Sequence, residues 1–273
     1  MIIQNRTEGD MRFFAETGNI DEENRRILLF GEDVNHIRNV LRMKEGDEIW
    51  VSDGAQYEYH CRICDEEPER GHTPEDRAAE KPACDRVTLE ILYRQEPDYE
   101  LPGKIILFQG LPKGDKMDFI IQKAVELGVS AVVPVSMKRC VMKLDQKRGE
   151  KKTARWQQIA ESASKQSRRL VIPKIYPVTT FAESLRIGSG LDILLAPYEL
   201  AHGMEETRKI LSAIRPGQSV GIFIGPEGGF EESEIRAAMD SGAVPITLGH
   251  RILRTETAGM TLLSVLMFQL ETD

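Results

Sequence analysis

Apolar and polar positions follow two different periods along this chain, and the change falls near residue 95. Before it, "DEIWVSDG", "YEYHCRI" and "RVTLEILYR" alternate in twos with turn residues between them, the pattern of strands that bury one face. "GEDVNHIRNVLRMKEGD" interrupts the alternation and predicts a short helix with Val34, Ile37, Val40 and Leu41 on one side. Gly46 and Asp47 then turn the chain into the next strand. Residues 65–85, "DEEPERGHTPEDRAAEKPACD", hold eight acidic residues, three basic residues and three prolines, so they predict a surface insert.

"QEPDYELPG", residues 95–103, has the proline and polar content of a linker, and beyond it strands alternate with helices. "KIILFQG" is a buried-strand run, and "KMDFIIQKAVELG" an amphipathic helix with Met117, Ile120, Ile121, Ala124 and Val125 inward and Gly128 at its end. "VSAVVPVSM" is the next strand. A long helix over about 151–169 carries Trp156, Ile159, Ala160 and Ala163 at helical spacing, and "LVIPKIYPV" follows. Thr180 and Glu183 make a capping-box signature. "LDILLAP", "SVGIFIGP" and "VPITLG" are continuous apolar runs that each enter a turn, as strands buried on both faces of a parallel sheet do. A last helix, about 256–270, is apolar on most sides and predicts burial against the sheet or a partner.

Composition narrows this picture. With 273 residues, 41% hydrophobic and 29% charged, the chain has room for two globular domains. No run is long enough to span a bilayer, and "MIIQNRTEGDMRFF" lacks a signal peptide's apolar stretch, so a cytoplasmic location is expected. Cys61 and Cys64, three apart on a strand, point to opposite faces and cannot converge on a metal. With Cys84 and Cys140 they are read as free thiols, and no metal site is expected. The net charge of −8 hides an asymmetry: residues 138–174 carry twelve Lys or Arg and three Asp or Glu, leaving −17 on the remainder. Such a stretch is either a footprint for a polyanionic partner or a solvated helix face.

In open α/β sheets ligands bind beyond the carboxyl ends of the strands. Three strands end here in "LLAP", "IGPEGG" and "LGHRILR"; if these ends are adjacent, their turns form one concave site. Gly225, Gly228, Gly229 and Gly249 lie where a ligand would approach the main chain. "GPEGGF" is not a phosphate loop, because Pro226 removes a backbone donor and Glu227 adds negative charge. A ligand with cationic character and a hydrogen-bonding base suits it better.

"LPKGDKMDFIIQKAVELGV", "KQSRR" followed by "IPKI", "IGPEGGF" and "LGHRILRTETA", in this order, closely resemble the 16S ribosomal RNA uracil-N3 methyltransferases of the RsmE type, in the SPOUT superfamily. "HIRNVLRMKEGDEIWVSDG" resembles the same family's front module, and only residues 65–85 stand outside the likeness. The resemblance implies an α/β fold. A SPOUT domain over residues 96–273 would have a mostly parallel sheet, helices on both faces and a deep trefoil knot. A smaller PUA-like RNA-binding β-barrel would occupy residues 1–95. It implies S-adenosylmethionine as cofactor, with Leu195 and Ala196 beside it and Gly225, Pro226, Glu227 and Gly228 as one wall. Leu248, Gly249, Ile252, Leu253, Thr255, Thr257 and Ala258 would form the other. Arg254 and Arg169 are the catalytic candidates, as donors to uracil oxygens or holders of its phosphates; a salt bridge from Arg254 to Glu256 or Glu227 is the alternative. Arg38, Arg42 and Lys44 in the barrel, with Lys113, Lys116, Lys165, Arg168 and Arg169, would hold RNA. His36 is either a packing residue or an RNA contact, and His250 a surface turn residue. The family often has glycine where this chain has Arg168, so the local backbone is expected to differ slightly. The expected partners are 16S ribosomal RNA in the assembled small subunit and a second copy of the chain, with the acidic insert turned away from RNA. The rival reading is a non-catalytic RNA-binding protein with a vestigial knot domain.

Overall fold

A computed structural model describes residues 11–64, 86–201 and 203–271; the insert with Cys84 lies outside the described residues. The chain divides into two units, one running to Tyr99 and taking in Arg168–Val171, the other holding Glu100–Ser167 and the chain from Ile172 on.

The first unit is a six-stranded sheet. Its strands are β1 (Arg12–Phe14), β2 (Ile20–Asp21), β3 (Arg26–Phe30), β4 (Glu48–Ser52), β5 (Glu58–Cys64) and β6 (Arg86–Gln95), in the order β1-β4-β5-β6-β3-β2. β1 and β4 pair parallel and the other neighbours antiparallel. The alternation seen in the sequence delivers Ile27, Leu29, Ile49, Val51, Tyr59, Cys61, Val87 and Leu89 to one core. Burial pushes the Cys61 thiol up to about 12, the adjacent Cys64 adding to it, while Cys64 is partly exposed.

Helix α1 (Glu32–Asn35) buries Val34 and runs into a wide turn over His36–Val40 that buries Ile37. Val40, expected on the buried side, is instead 62% exposed. The cause is the turn: Leu41 N–H donates to the carbonyl of His36, five residues back, so the positions rotate out of helical phase. His36 packs edge-on to Phe13, which is the packing alternative for it.

The second unit holds β7 (Lys104–Gly110), α2 (Lys116–Glu126), β8 (Ala131–Ser136), α3 (Gln146–Ser167), β9 (Lys174–Ile175), β10 (Thr179–Thr180) and α4 (Phe181–Gly188). It continues with β11 (Ile193–Pro197), α5 (Met204–Ser212), β12 (Ser219–Ile224), α6 (Glu232–Asp240), β13 (Ala243–Ile246) and α7 (Thr255–Leu270). The sheet order is β10-β8-β7-β12-β11-β13 with β9 beside β8, and every pairing is parallel. Helices cover the apolar strands: the five inward positions of α2 are buried, and Gly128 closes it at φ +85°. Helix α3 begins five residues before the expected start, where Asp145 Oδ1 accepts from the Arg148 N–H at 2.8 Å. Trp156 is buried and donates to Asp118 of α2 at 3.0 Å. Thr180 caps α4 by accepting from the Glu183 N–H at 3.2 Å. Helix α7 packs on α2 and β12, and its Leu262, Leu263 and Leu266 are fully buried. Phe268 on its other side is 85% exposed. No described helix is long and apolar enough to cross a membrane.

In the first unit Ser52 donates to the carbonyl of Leu170 at 2.8 Å, which seats the segment Arg168–Val171 on β4. Arg168 enters that segment at φ +64°, the left-handed region, and this is the position where glycine was anticipated. A side chain there costs about 1–2 kcal/mol. Glycine's extra unfolded-state entropy takes back about 0.4–1 kcal/mol of any gain. Arg168→Gly is therefore expected to raise stability by roughly 0.5–1 kcal/mol in urea unfolding. A lower stability would show that the Arg168 side chain outweighs its backbone.

Candidate functional site

β11 lies between β12 and β13, so the three turns foreseen from the sequence come out side by side. They enclose a cavity of about 470 Å³, lined by Pro197 at the end of β11 with Tyr198 and Glu199 after it, by Ile224 at the end of β12 with residues 225–230 after it, and by residues 247–255 after β13. Lys116 and Ala258 complete the wall.

Close backbone approach shapes the β12 turn. A Cβ on Gly110, at the end of β7, would stand 2.7 Å from the nitrogen of Pro226. One on Gly225 would stand 3.0 Å from the carbonyl carbon of Gly229. The two turns are joined by one hydroxyl: Thr255 donates to the carbonyl of Gly225 at 2.6 Å and accepts from Gln109 Nε2 at 2.8 Å. Gln109 and Thr255 are both buried, so in a low-dielectric setting each bond replaces one that water cannot make.

Charges brace the same loops. Glu227 accepts from the Lys113 N–H at 3.1 Å and from Lys116 Nζ at 2.9 Å, and Lys116 reaches Glu256 at 3.5 Å. Partial burial works against the Glu227 charge, but the bonds from Lys116, its own N–H and Lys113 hold the carboxyl below the usual carboxylate range. The bond to Glu227 raises Lys116 in turn. Arg139 grips the outer side, donating to Glu231 at 2.9 Å and to the carbonyl of Gly228 at 3.0 Å.

Of the expected cofactor residues, Gly225, Pro226, Glu227, Gly228, Leu248, Gly249, Ile252, Leu253, Thr255 and Ala258 line the cavity. Leu195 and Ala196 do not: they are fully buried inside β11, and the wall begins at Pro197. Thr257 is exposed on α7, outside the lining. Among the lining residues not expected are Pro197, Tyr198 and Glu199, at and just past the end of β11, where the strand-end rule would have put them. Arg254 lines the cavity, and its side chain makes neither the ion pair to Glu256 nor that to Glu227; Lys116 takes both carboxylates. Arg169 is 6% exposed and belongs to the first unit. Among the RNA candidates, Lys165 pairs with Glu161 at 2.8 Å, Arg38 donates to the carbonyl of Arg86 at 2.9 Å, and Arg42 and Lys44 are exposed.

The crevice fits an adenosine-bearing ligand. Leu248, Leu253 and Ile224 offer apolar walls, and the glycine turns offer main-chain donors and acceptors. Residues 99–267 match the family described as RNA methyltransferase domain, and residues 29–70 the family described as RNA methyltransferase PUA domain. Ribosomal RNA small subunit methyltransferase E of Bacillus subtilis (strain 168) is 36% identical over 264 residues, 95% of this chain and 97% of its own length. The protein of that name from Aquifex aeolicus (strain VF5) is 30% identical over 88% of this chain and 93% of its own. The solved structure of ribosomal RNA small subunit methyltransferase E from Neisseria gonorrhoeae, bound to S-adenosyl methionine, is 32% identical. It covers 94% of this chain and 97% of that one, with a TM-score of 0.77.

Thr255→Val keeps the side-chain volume and removes both bonds of the hydroxyl; it should cost about 1–3 kcal/mol in denaturant unfolding, and a loss near zero would refute the joint. Glu227 has a folded pKa below its unfolded value, so its brace is complete above the ordinary carboxylate pKa near 4.3 and is lost as acid titrates the folded group. Glu227→Gln should accordingly flatten the acid limb of the stability-against-pH curve and leave its slope above pH ~6 unchanged.

Proposed function

The chain belongs to the RNA methyltransferase family that includes ribosomal RNA small subunit methyltransferase E, and we propose that it methylates N3 of a uridine in 16S ribosomal RNA. It is an S-adenosylmethionine-dependent enzyme whose substrate is ribosomal RNA. The observation that carries the proposal is the crevice closed by the β12 and β13 turns, with Arg254 on its wall and, among the described residues, no ion pair from its side chain.

The cofactor supplies a methyl group on a sulfonium that leaves as a neutral thioether. Residues 225–228 and 248–253 would hold its adenosine part by main-chain groups and apolar contact. The Glu227 carboxylate is committed to Lys116 and Lys113, so it does not neutralise the sulfonium; a counter-ion there would stabilise the charged ground state more than the dispersing transition state. Alignment of N3 with the methyl supplies much of the rate. The N3 proton passes to solvent water, its loss leaves charge on O2 and O4 of uracil, and the guanidinium of Arg254 stabilises that charge as it forms. Arg169, buried and already engaged, is proposed to hold its own segment and not to reach the base.

The same reading includes RNA contacts from the exposed Arg42 and Lys44 in the first unit, assembly through the apolar outer side of α7, and action on the assembled small subunit in the cytoplasm. A knot also belongs to it. Residues 247–254 lead the chain from the edge strand β13 back to Gly225 and Gln109, a path that supports threading.

Calorimetry should register binding of S-adenosylhomocysteine; its absence would favour the non-catalytic alternative. In cells lacking the protein, mass mapping of 16S ribosomal RNA should show one uridine without its N3 methyl group. Arg254→Ala should lower transfer by about 10²–10³-fold while leaving S-adenosylhomocysteine affinity within about threefold. Full activity of that variant would remove Arg254 from the mechanism.

A further inference from the structure

Several cations assigned to RNA from the sequence are already engaged within the chain: Lys116 bridges Glu227 and Glu256, Lys165 holds Glu161, and Arg38 holds a main-chain oxygen. The basic stretch therefore has to be read one side chain at a time. Between residues 138 and 155, eight cationic side chains stand against only Asp145 and Glu150. Five of the eight have partners. Lys138 donates to Ser233, Arg139 to Glu231 and Gly228, and Arg148 pairs with Asp145; Lys152 and Arg155 pair with Asp115 and Asp118. Lys143, Lys147 and Lys151 are exposed and have no ion pair or hydrogen bond from their side chains among the described residues.

The place of these three follows from their paired neighbours. Arg139, four residues before Lys143, grips Gly228 on the cavity wall at 3.0 Å. Lys152, next to Lys151, reaches Asp115 at 3.4 Å, and Asp115 adjoins Lys116 of the same wall. Lys147 and Lys151 are one helical turn apart and share a side of α3. The three thus lie in the second unit between Arg139, which holds the cavity wall at Gly228, and Lys152, which holds the residue beside Lys116 of that wall.

We infer that Lys143, Lys147 and Lys151 form a docking surface for the phosphodiester backbone of the RNA whose base enters the crevice. The inference rests on the ribosomal RNA reading above. Flexible ammonium groups without internal partners release counterions on meeting phosphates, and they read no base edge. The surface therefore contributes affinity and salt dependence, not the choice of nucleotide.

The test is binding of the full chain to a 16S ribosomal RNA transcript at four KCl concentrations. For the variant Lys143→Gln, Lys147→Gln, Lys151→Gln, the slope of log affinity against log salt should shallow by about 2–3, given ~0.7–0.9 per phosphate contact. Binding of S-adenosylhomocysteine should stay as in the wild type, and the unfolding midpoint should not fall, since removing Lys147 from the first turn of α3 relieves the helix dipole. The triple Lys→Arg variant should keep the wild-type slope. An unchanged slope in the glutamine variant overturns this inference and leaves the methyltransferase reading standing. A wild type that binds the transcript nowhere in the series overturns both.

Discussion

The Thr255 hydroxyl fixes the geometry on which the crevice depends. It joins the end of β7, the turn after β12 and the start of α7, three segments far apart in sequence, through one donated and one accepted hydrogen bond. The carbonyl of Gly225 lies past the end of β12 and has no ladder partner, so without Thr255 a part-buried acceptor would lose the bond that orients it. Because Thr255 also opens α7, the same bond sets where that helix begins and hence how residues 247–254 are stretched along the cavity. One side chain thereby turns two flexible glycine loops into a preformed wall.

The ion network then fixes the sign of the field inside. A crevice meant for a sulfonium and an RNA strand must avoid a free carboxylate near the first and keep a free cation near the second. Lys116 goes part of the way to the first need by occupying Glu227 and Glu256 together, with Glu199 left on the wall, and Arg254 then has no ion pair from its side chain among the described residues. The arrangement stands on side chains that are partly exposed, so its worth lies in orientation more than in stability.

The fold was largely legible because periodicity is a local property. Two-residue alternation gave the first sheet, and continuous apolar runs gave the parallel one, down to the inward face of α2. Val40 escaped because a five-residue turn leaves no composition signal. The site was legible where glycine and proline announce a turn. Leu195 and Ala196, expected beside the cofactor from the family resemblance, lie inside β11, and the cavity lining begins at Pro197. The Thr255 joint and the Lys116 bridge were not legible, since Gln109 lies 146 residues from Thr255 and Glu227 lies 111 from Lys116. Gln109 did leave a trace, as the one polar side chain inside the β7 run "IILFQG". A lone amide in a strand buried on both faces must find a partner, and that rule alone would have singled it out.

The long basic helix shows that local stability is not the only constraint on this sequence. Helices α1, α2, α4, α5, α6 and α7 each carry at least one carboxylate in the first turn, where the helix dipole favours negative charge; α3 carries none. Its Lys147 and Arg148 face the unfavourable end instead, a cost of a few tenths to about 1 kcal/mol each at exposed sites. Asp145 offsets part of that by capping Arg148, and the buried Trp156 anchors the helix on α2 through Asp118. Tertiary packing in its middle thus secures α3 well enough for its first turns to carry charges that its own dipole disfavours. On a chain of net charge −8, packing of this kind offsets the cost of placing Lys147 and Arg148 in the first turn of α3.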